Sequence, residues 1–150
     1  MNYVECPNVY DGTGMSVFIA GGISNCSNWQ QDMIKLLEHA DLTVVNPRRE
    51  SFDITDPAAS EFQIKWEHSH LDKVDAILFW FPPETLCPIT LYELGARSMA
   101  RHKKPIFIGI HPDYKRKFDV EMQTSLVRPE IQIVYTLENL AKQVIDWTKS

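Results

Sequence analysis

Cysteine is scarce in this chain, and its pattern excludes two classes of protein. The three cysteines, Cys6, Cys26 and Cys87, are an odd number without metal-ligand spacing. They indicate neither a disulfide scaffold nor a zinc module, and a reducing compartment is the simplest setting. His68 and His70 form an H-x-H pair with no cysteine or third histidine at ligand spacing, so no metal is expected. No apolar run approaches the roughly 18 residues of a membrane span, and the N-terminus has no basic-then-apolar leader pattern. The expectation is a soluble, cytoplasmic protein with no membrane partner. Basic residues are outnumbered, 15 against 20 acidic, for a net charge of −5, which argues against a nucleic-acid partner. The chain also lacks the G-x-G-x-x-G dinucleotide fingerprint, a P-loop lysine, internal repeats and low-complexity tracts.

What is present suits one α/β domain. At 150 residues and 44% hydrophobic, the chain is long enough to bury roughly two-thirds of its unfolded surface. Residues 1–15 are turn-rich (Pro7, Asn8, Asp11-Gly12, Gly14) and read as an arm lying over a domain of residues 16–150. Strands are expected at Ser16–Ile23, Leu42–Asn46, Ala76–Phe81, Pro105–Ile110 and Ile131–Tyr135. Helices are expected at Ser27–Ala40, Ala58–Lys73, Ile89–His102, Val120–Leu126 and Leu137–Thr148. Five short apolar strands alternating with helices imply a doubly wound parallel sheet, flavodoxin-like or Rossmann-like, with strand order 2-1-3-4-5.

In that topology the loops after the first and third strands meet at the carboxyl edge, where ligands bind. The first carries Gly21-Gly22-Ile23-Ser24-Asn25, whose glycines allow close backbone approach to a ligand or simply make a tight turn. The third feeds C-P-I-T-L-Y-E-L-G, Cys87–Gly95, with Glu93 expected in or near the first turn of its helix. There the helix dipole and unpaired N–H groups would hold an ionised carboxylate. Thr90-x-x-Glu93 also fits a capping box, in which both side chains only satisfy the helix end. Arg48 and Arg49, after the second strand, could hold a phosphate, line a base pocket or belong to a solvated loop. Trp66-Glu67 offers stacking beside proton donation to a heterocycle, or a core tryptophan beside a surface glutamate. Asp119 lies in a charged loop after the fourth strand that could reach a neighbouring subunit.

Taken together, Val17–Ser24, Trp29-Gln30, Asn46–Arg49, Trp66-Glu67, Asp75–Trp80 and Pro88–Gly95 resemble the nucleoside 2-deoxyribosyltransferase-like family over about residues 16–125. The resemblance implies that Glu93 attacks the anomeric carbon of a deoxynucleoside, forming a glycosyl ester and releasing the base. A second base, or water, then takes the sugar. It implies that Glu67 contacts or protonates the leaving base, and that Asp119 falls near a position reaching a neighbouring subunit's sugar 5′-hydroxyl. The partners implied are a nucleoside or nucleotide, a free nucleobase and further copies of the chain in a homo-oligomer; no cofactor is implied. Two positions depart from the family pattern. Phe18 stands where classical transferases carry a tyrosine that orients the nucleophile, and Cys87 replaces a second acidic residue. These departures leave room for hydrolysis or a modified substrate. The competing readings are a nucleoside 5′-monophosphate N-glycosidase, with Arg48, Arg49 or Ser24 on phosphate, and a non-catalytic nucleotide-sensing module. A flavodoxin-type FMN carrier is disfavoured, because the first loop lacks a Ser/Thr-rich phosphate cradle. The chemistry needs two carboxyls that titrate apart, with Glu93 expected low and Glu67 raised by burial beside Trp66.

Overall fold

Every residue of the strand Ala76–Phe81 (β4) is buried, as expected of a parallel strand covered by helices on both faces. The computed structural model describes residues 1–50 and 55–150. Around β4 stand β2 (Ser16–Gly21), β3 (Thr43–Asn46) and β5 (Ile106–Ile110), with β1 (Asn2–Glu5) beyond β3. All pairs are parallel and the spatial order is β1-β3-β2-β4-β5. The helices are α1 (Trp29–Leu36), α2 (Pro57–Lys73), α3 (Pro88–Ser98), α4 (Lys117–Val127) and α5 (Leu137–Thr148). Phe18, Phe79 and Phe81 pack with Trp66 of α2, Leu94 of α3 and Val120 of α4. On the other face Val17, Ile19 and Leu78 pack with Trp29 and Met33 of α1 and Leu140 and Val144 of α5. The fold is the expected flavodoxin-like doubly wound one, closed on both faces. None of the described helices is long and apolar enough to cross a membrane.

Two elements differ from expectation. Part of the N-terminal arm is the edge strand β1, in register Tyr3↔Val44, with the Cys6 amide donating to the Asn46 carbonyl at 3.1 Å. Short, polar edge strands show no apolar run, and Asn2 and Glu5 hide this one. The expected strand Ile131–Tyr135 makes only a bridge, Val134 to Gly109. Gln143 of α5 explains the shortfall: its Nε2 donates to the Gln132 carbonyl at 2.9 Å, occupying the group that would extend the ladder.

The start of α3 also moves. Cys87 is the N-cap, in the left-handed region at φ 53°, and Pro88 is the first helical residue. Glu93 is therefore the sixth residue of α3, in its second turn rather than its first. Thr90 is buried inside the first turn instead of capping it, so the capping-box reading does not hold.

Candidate active site

Glu93 is half-buried on α3, and its carboxylate accepts no hydrogen bond and forms no ion pair among the described residues. Its pKa is raised from 4.5 to about 8, first by burial and then by the negative charge of Glu67; Arg97 opposes both. This corrects the expectation of a low value. The second helical turn offers no free amides to a carboxylate, so desolvation prevails. Arg97, one turn further along α3, is drawn away into an ion pair with Asp72 of α2. Glu67, half-buried on α2, is also raised, chiefly by burial, against a hydrogen bond from Gln63 and the charge of Arg49. That direction agrees with expectation. Glu93 on α3 thus senses the charge of Glu67 on α2.

The remaining expected residues divide between the core and the loops at the strand ends. Trp66 is 5% exposed. Its Nε1 donates to the Asn8 carbonyl at 2.8 Å, and its ring stacks on His70 at 3.9 Å and approaches Phe18 at 6.2 Å. Phe18 is 1% exposed within β2. Both rings lie in the core. Gly21 and Gly22 are required by packing: a Cβ on Gly21 would lie 2.5 Å from the Trp80 carbonyl and against the Trp29 ring. One on Gly22 would lie 2.9 Å from both Pro82 Cγ and Thr85 Cγ2. The Gly22 carbonyl takes Trp29 Nε1 at 2.9 Å and Gln30 Nε2 at 3.1 Å. The glycine loop therefore lies flat against the loop after β4, with Ser24 exposed at its tip.

Arg48 braces this loop. Its Nη1 donates to the Ser27 carbonyl at 2.8 Å and to Gln30 at 2.9 Å, and Nη2 to the Cys26 carbonyl at 3.2 Å. Arg49 turns the other way, with Nε 2.8 Å from Gln63 Oε1 and 3.2 Å from Cys6 Sγ, and its guanidinium 5.4 Å from the Phe62 ring centre. Asp119 is exposed in the first turn of α4 and pairs with Arg116 at 3.4 Å.

Cys87 sits where Gly22 meets α3, and burial pushes its thiol up to about 12, so it remains a neutral thiol. Tyr114 OH donates to the Leu86 carbonyl at 2.7 Å and fixes the approach to α3. Gln63 and Tyr114 went unnoticed in the sequence. Gln63 had one local signal, its position one helical turn before Glu67. Cavities of about 210 and 380 Å³ open beside the strand starts, at Met15–Thr43 and at Pro105–Phe107, on the edge opposite the carboxylates.

The arrangement brings two carboxyls of raised pKa to the side of the parallel sheet where its strands end, groups of a type able to bond to an electrophilic carbon or to protonate a departing base. No curated protein matches the chain. Residues 14–114, which include both glutamates, match the family described as nucleoside 2-deoxyribosyltransferase like. The chain belongs to the nucleoside 2-deoxyribosyltransferase-like family.

Proposed function

We propose that the protein cleaves the N-glycosidic bond of 2′-deoxynucleosides through a covalent glycosyl ester on Glu93, and passes the deoxyribosyl group to a second base or to water. One observation carries this reading: Glu93 is held near pKa 8 partly by the charge of Glu67. A carboxyl with a pKa near 8 keeps its proton through neutral pH. Glycosidic cleavage needs such a proton. The proton passes by way of Glu67 to a ring nitrogen of the base, which leaves with the electrons of the C1′–N bond. The freed Glu93 oxygen then bonds to C1′. Developing positive charge on the sugar favours the ionised form of Glu93 as the bond breaks. In the second half-reaction the incoming base or water bonds to C1′ as the C1′–O bond to Glu93 breaks, and the proton lost by the nucleophile returns to the Glu67–Glu93 pair.

The commitment of Arg48 to two backbone carbonyls and Gln30 favours a nucleoside over its 5′-monophosphate. A homo-oligomer is part of the same proposal. Its support is the exposed apolar set Ile89, Tyr92 and Met99 on and just after α3, with Phe118, Met122 and Leu126 on α4. Monomers seldom leave so many large apolar side chains in solvent, and Asp119 lies on the same helix as the second group.

The test incubates the purified protein with deoxyadenosine, deoxycytidine and their monophosphates, with and without free adenine. A 2-fluorinated deoxynucleoside is then used to trap the ester for peptide mass spectrometry. Base exchange indicates transfer, free sugar indicates hydrolysis, and adduct mass is expected on the peptide containing Glu93. Absence of turnover on every substrate, or full turnover by Glu93→Gln, refutes the reading.

A further inference from the structure

Gln63 makes four hydrogen bonds, the full capacity of a carboxamide. Its Nε2 donates to Glu67 Oε1 at 2.8 Å and to the Pro47 carbonyl at 2.9 Å. Its Oε1 accepts from Arg49 Nε at 2.8 Å and from the Cys6 thiol at 3.1 Å. An arginine Nε–H can only donate, which fixes the amide: oxygen toward Arg49, nitrogen toward Glu67. The four partners come from three elements, namely the end of β1, the loop after β3, and α2 itself. Cys6 lies outside the family match at residues 14–114.

We infer that Gln63 is a positioning residue that ties Glu67 to Arg49 and Cys6, holding one oxygen of Glu67 and presenting the other to the leaving base. This rests on the reading of Glu67 as the group that protonates the base. Among the described residues, Oε2 of Glu67 has no hydrogen-bond partner, and it is the oxygen left for a ligand. The charged and titratable groups around Glu67 are Arg49 from the loop after β3, Cys6 from the end of β1, and Glu93 from α3. A donor and a cation both favour ionised Glu67, and among the described residues Glu93 has no hydrogen-bond donor of its own. In the empty site the shared proton therefore rests on Glu93, and a bound base must draw it through Glu67. The position of Gln63 sets how readily that transfer occurs.

The experiment titrates the glutamate side-chain carboxyls of the ¹³C-labelled protein by NMR, with Glu67→Gln and Glu93→Gln as assignment controls. Wild type is compared with Gln63→Met and Gln63→Glu, alongside pH profiles of kcat and KM. Gln63→Met removes donor and acceptor at similar length. Gln63→Glu keeps the acceptor for Arg49 but replaces the donor with a carboxylate. Both are expected to raise the Glu67 titration, Gln63→Glu further. Gln63→Met is expected to lower kcat by about tenfold, because the free oxygen of Glu67 is no longer held toward the base, with KM little changed. The acid limb of the kcat profile should move in the same direction. A Glu67 titration unchanged in both variants overturns the inference, as does loss of kcat without any titration shift. If either variant fails to fold, the other decides. An enzyme without turnover on any nucleoside sinks the functional reading, and the titration still decides whether Gln63 governs Glu67.

Discussion

Replacing Glu93 with glutamine should abolish turnover and make the protein more stable at alkaline pH. The carboxyl has an ordinary pKa of 4.5 and is raised to about 8 in the folded chain. Below 4.5 the folded and unfolded chains are both protonated, and the group adds no pH dependence. Between 4.5 and 8 the unfolded chain ionises while the folded one keeps its proton, so stability falls as pH rises. Above 8 the penalty is complete. At about 1.36 kcal/mol per pH unit, the shift sets an upper bound of about 5 kcal/mol. The residual solvent access of a half-buried side chain reduces this to about 2–3 kcal/mol. Glutamine has the shape of the protonated acid and no charge to desolvate, so it escapes the penalty. In a domain of this size 1 kcal/mol corresponds to about 2–4 °C. The Glu93→Gln Tm should therefore exceed wild type by about 5–10 °C at pH 9 and match it near pH 4.5. Melts by circular dichroism across that range provide the assay. A Tm difference independent of pH, or a variant less stable at pH 9, refutes the argument that Glu93 is a desolvated acid held against folding.

Other perturbations test the scaffold under the site. Gly21→Ala forces a methyl against the Trp80 carbonyl, 2.5 Å away, and the Trp29 ring; urea denaturation should show a loss of about 3 kcal/mol, and a loss below about 1 kcal/mol contradicts the packing. Lys104 Nζ donates to the carbonyls of Leu71, Asp72 and Val74 at 2.7, 2.9 and 2.7 Å, closing the end of α2. Lys104→Met should cost about 2–3 kcal/mol and speed amide exchange in the last turn of α2. His70 accepts the Tyr10 amide on Nε2 at 3.1 Å and donates from Nδ1 to the Trp66 carbonyl at 2.7 Å, so it is neutral. Burial lowers its pKa below 6.5: the unfolded chain takes the proton first, and stability falls as pH drops from 6.5 toward the folded value. His70→Gln should remove that part of the acid sensitivity in melts between pH 7 and 5.

The sequence reveals what local patterns determine. Ala76–Phe81 is apolar throughout because β4 is covered on both faces, and α5 matches its expected bounds because Thr136 caps it, accepting the Asn139 amide at 3.1 Å. The meeting of the glycine loop and the start of α3 follows from strand order alone. What the pattern hides is non-local. The Trp66 ring is held by the carbonyl of Asn8, 58 positions away, in a segment too polar to read as part of the sheet. Without that contact, a tryptophan beside a glutamate looks like a stacking surface; with it, the ring is a core element that seats α2.

The protonation of the pair illustrates the same limit more sharply. Reading Glu93 as the low member followed from placing it in or near the first turn of α3, where free amides favour an ionised carboxyl. As the sixth helical residue it lies beyond those amides, and burial and the charge of Glu67 are in control. The upward shift of Glu93 comes from its burial and from the nearby charge of Glu67, and the proton so retained is the one that the proposed glycosidic chemistry uses.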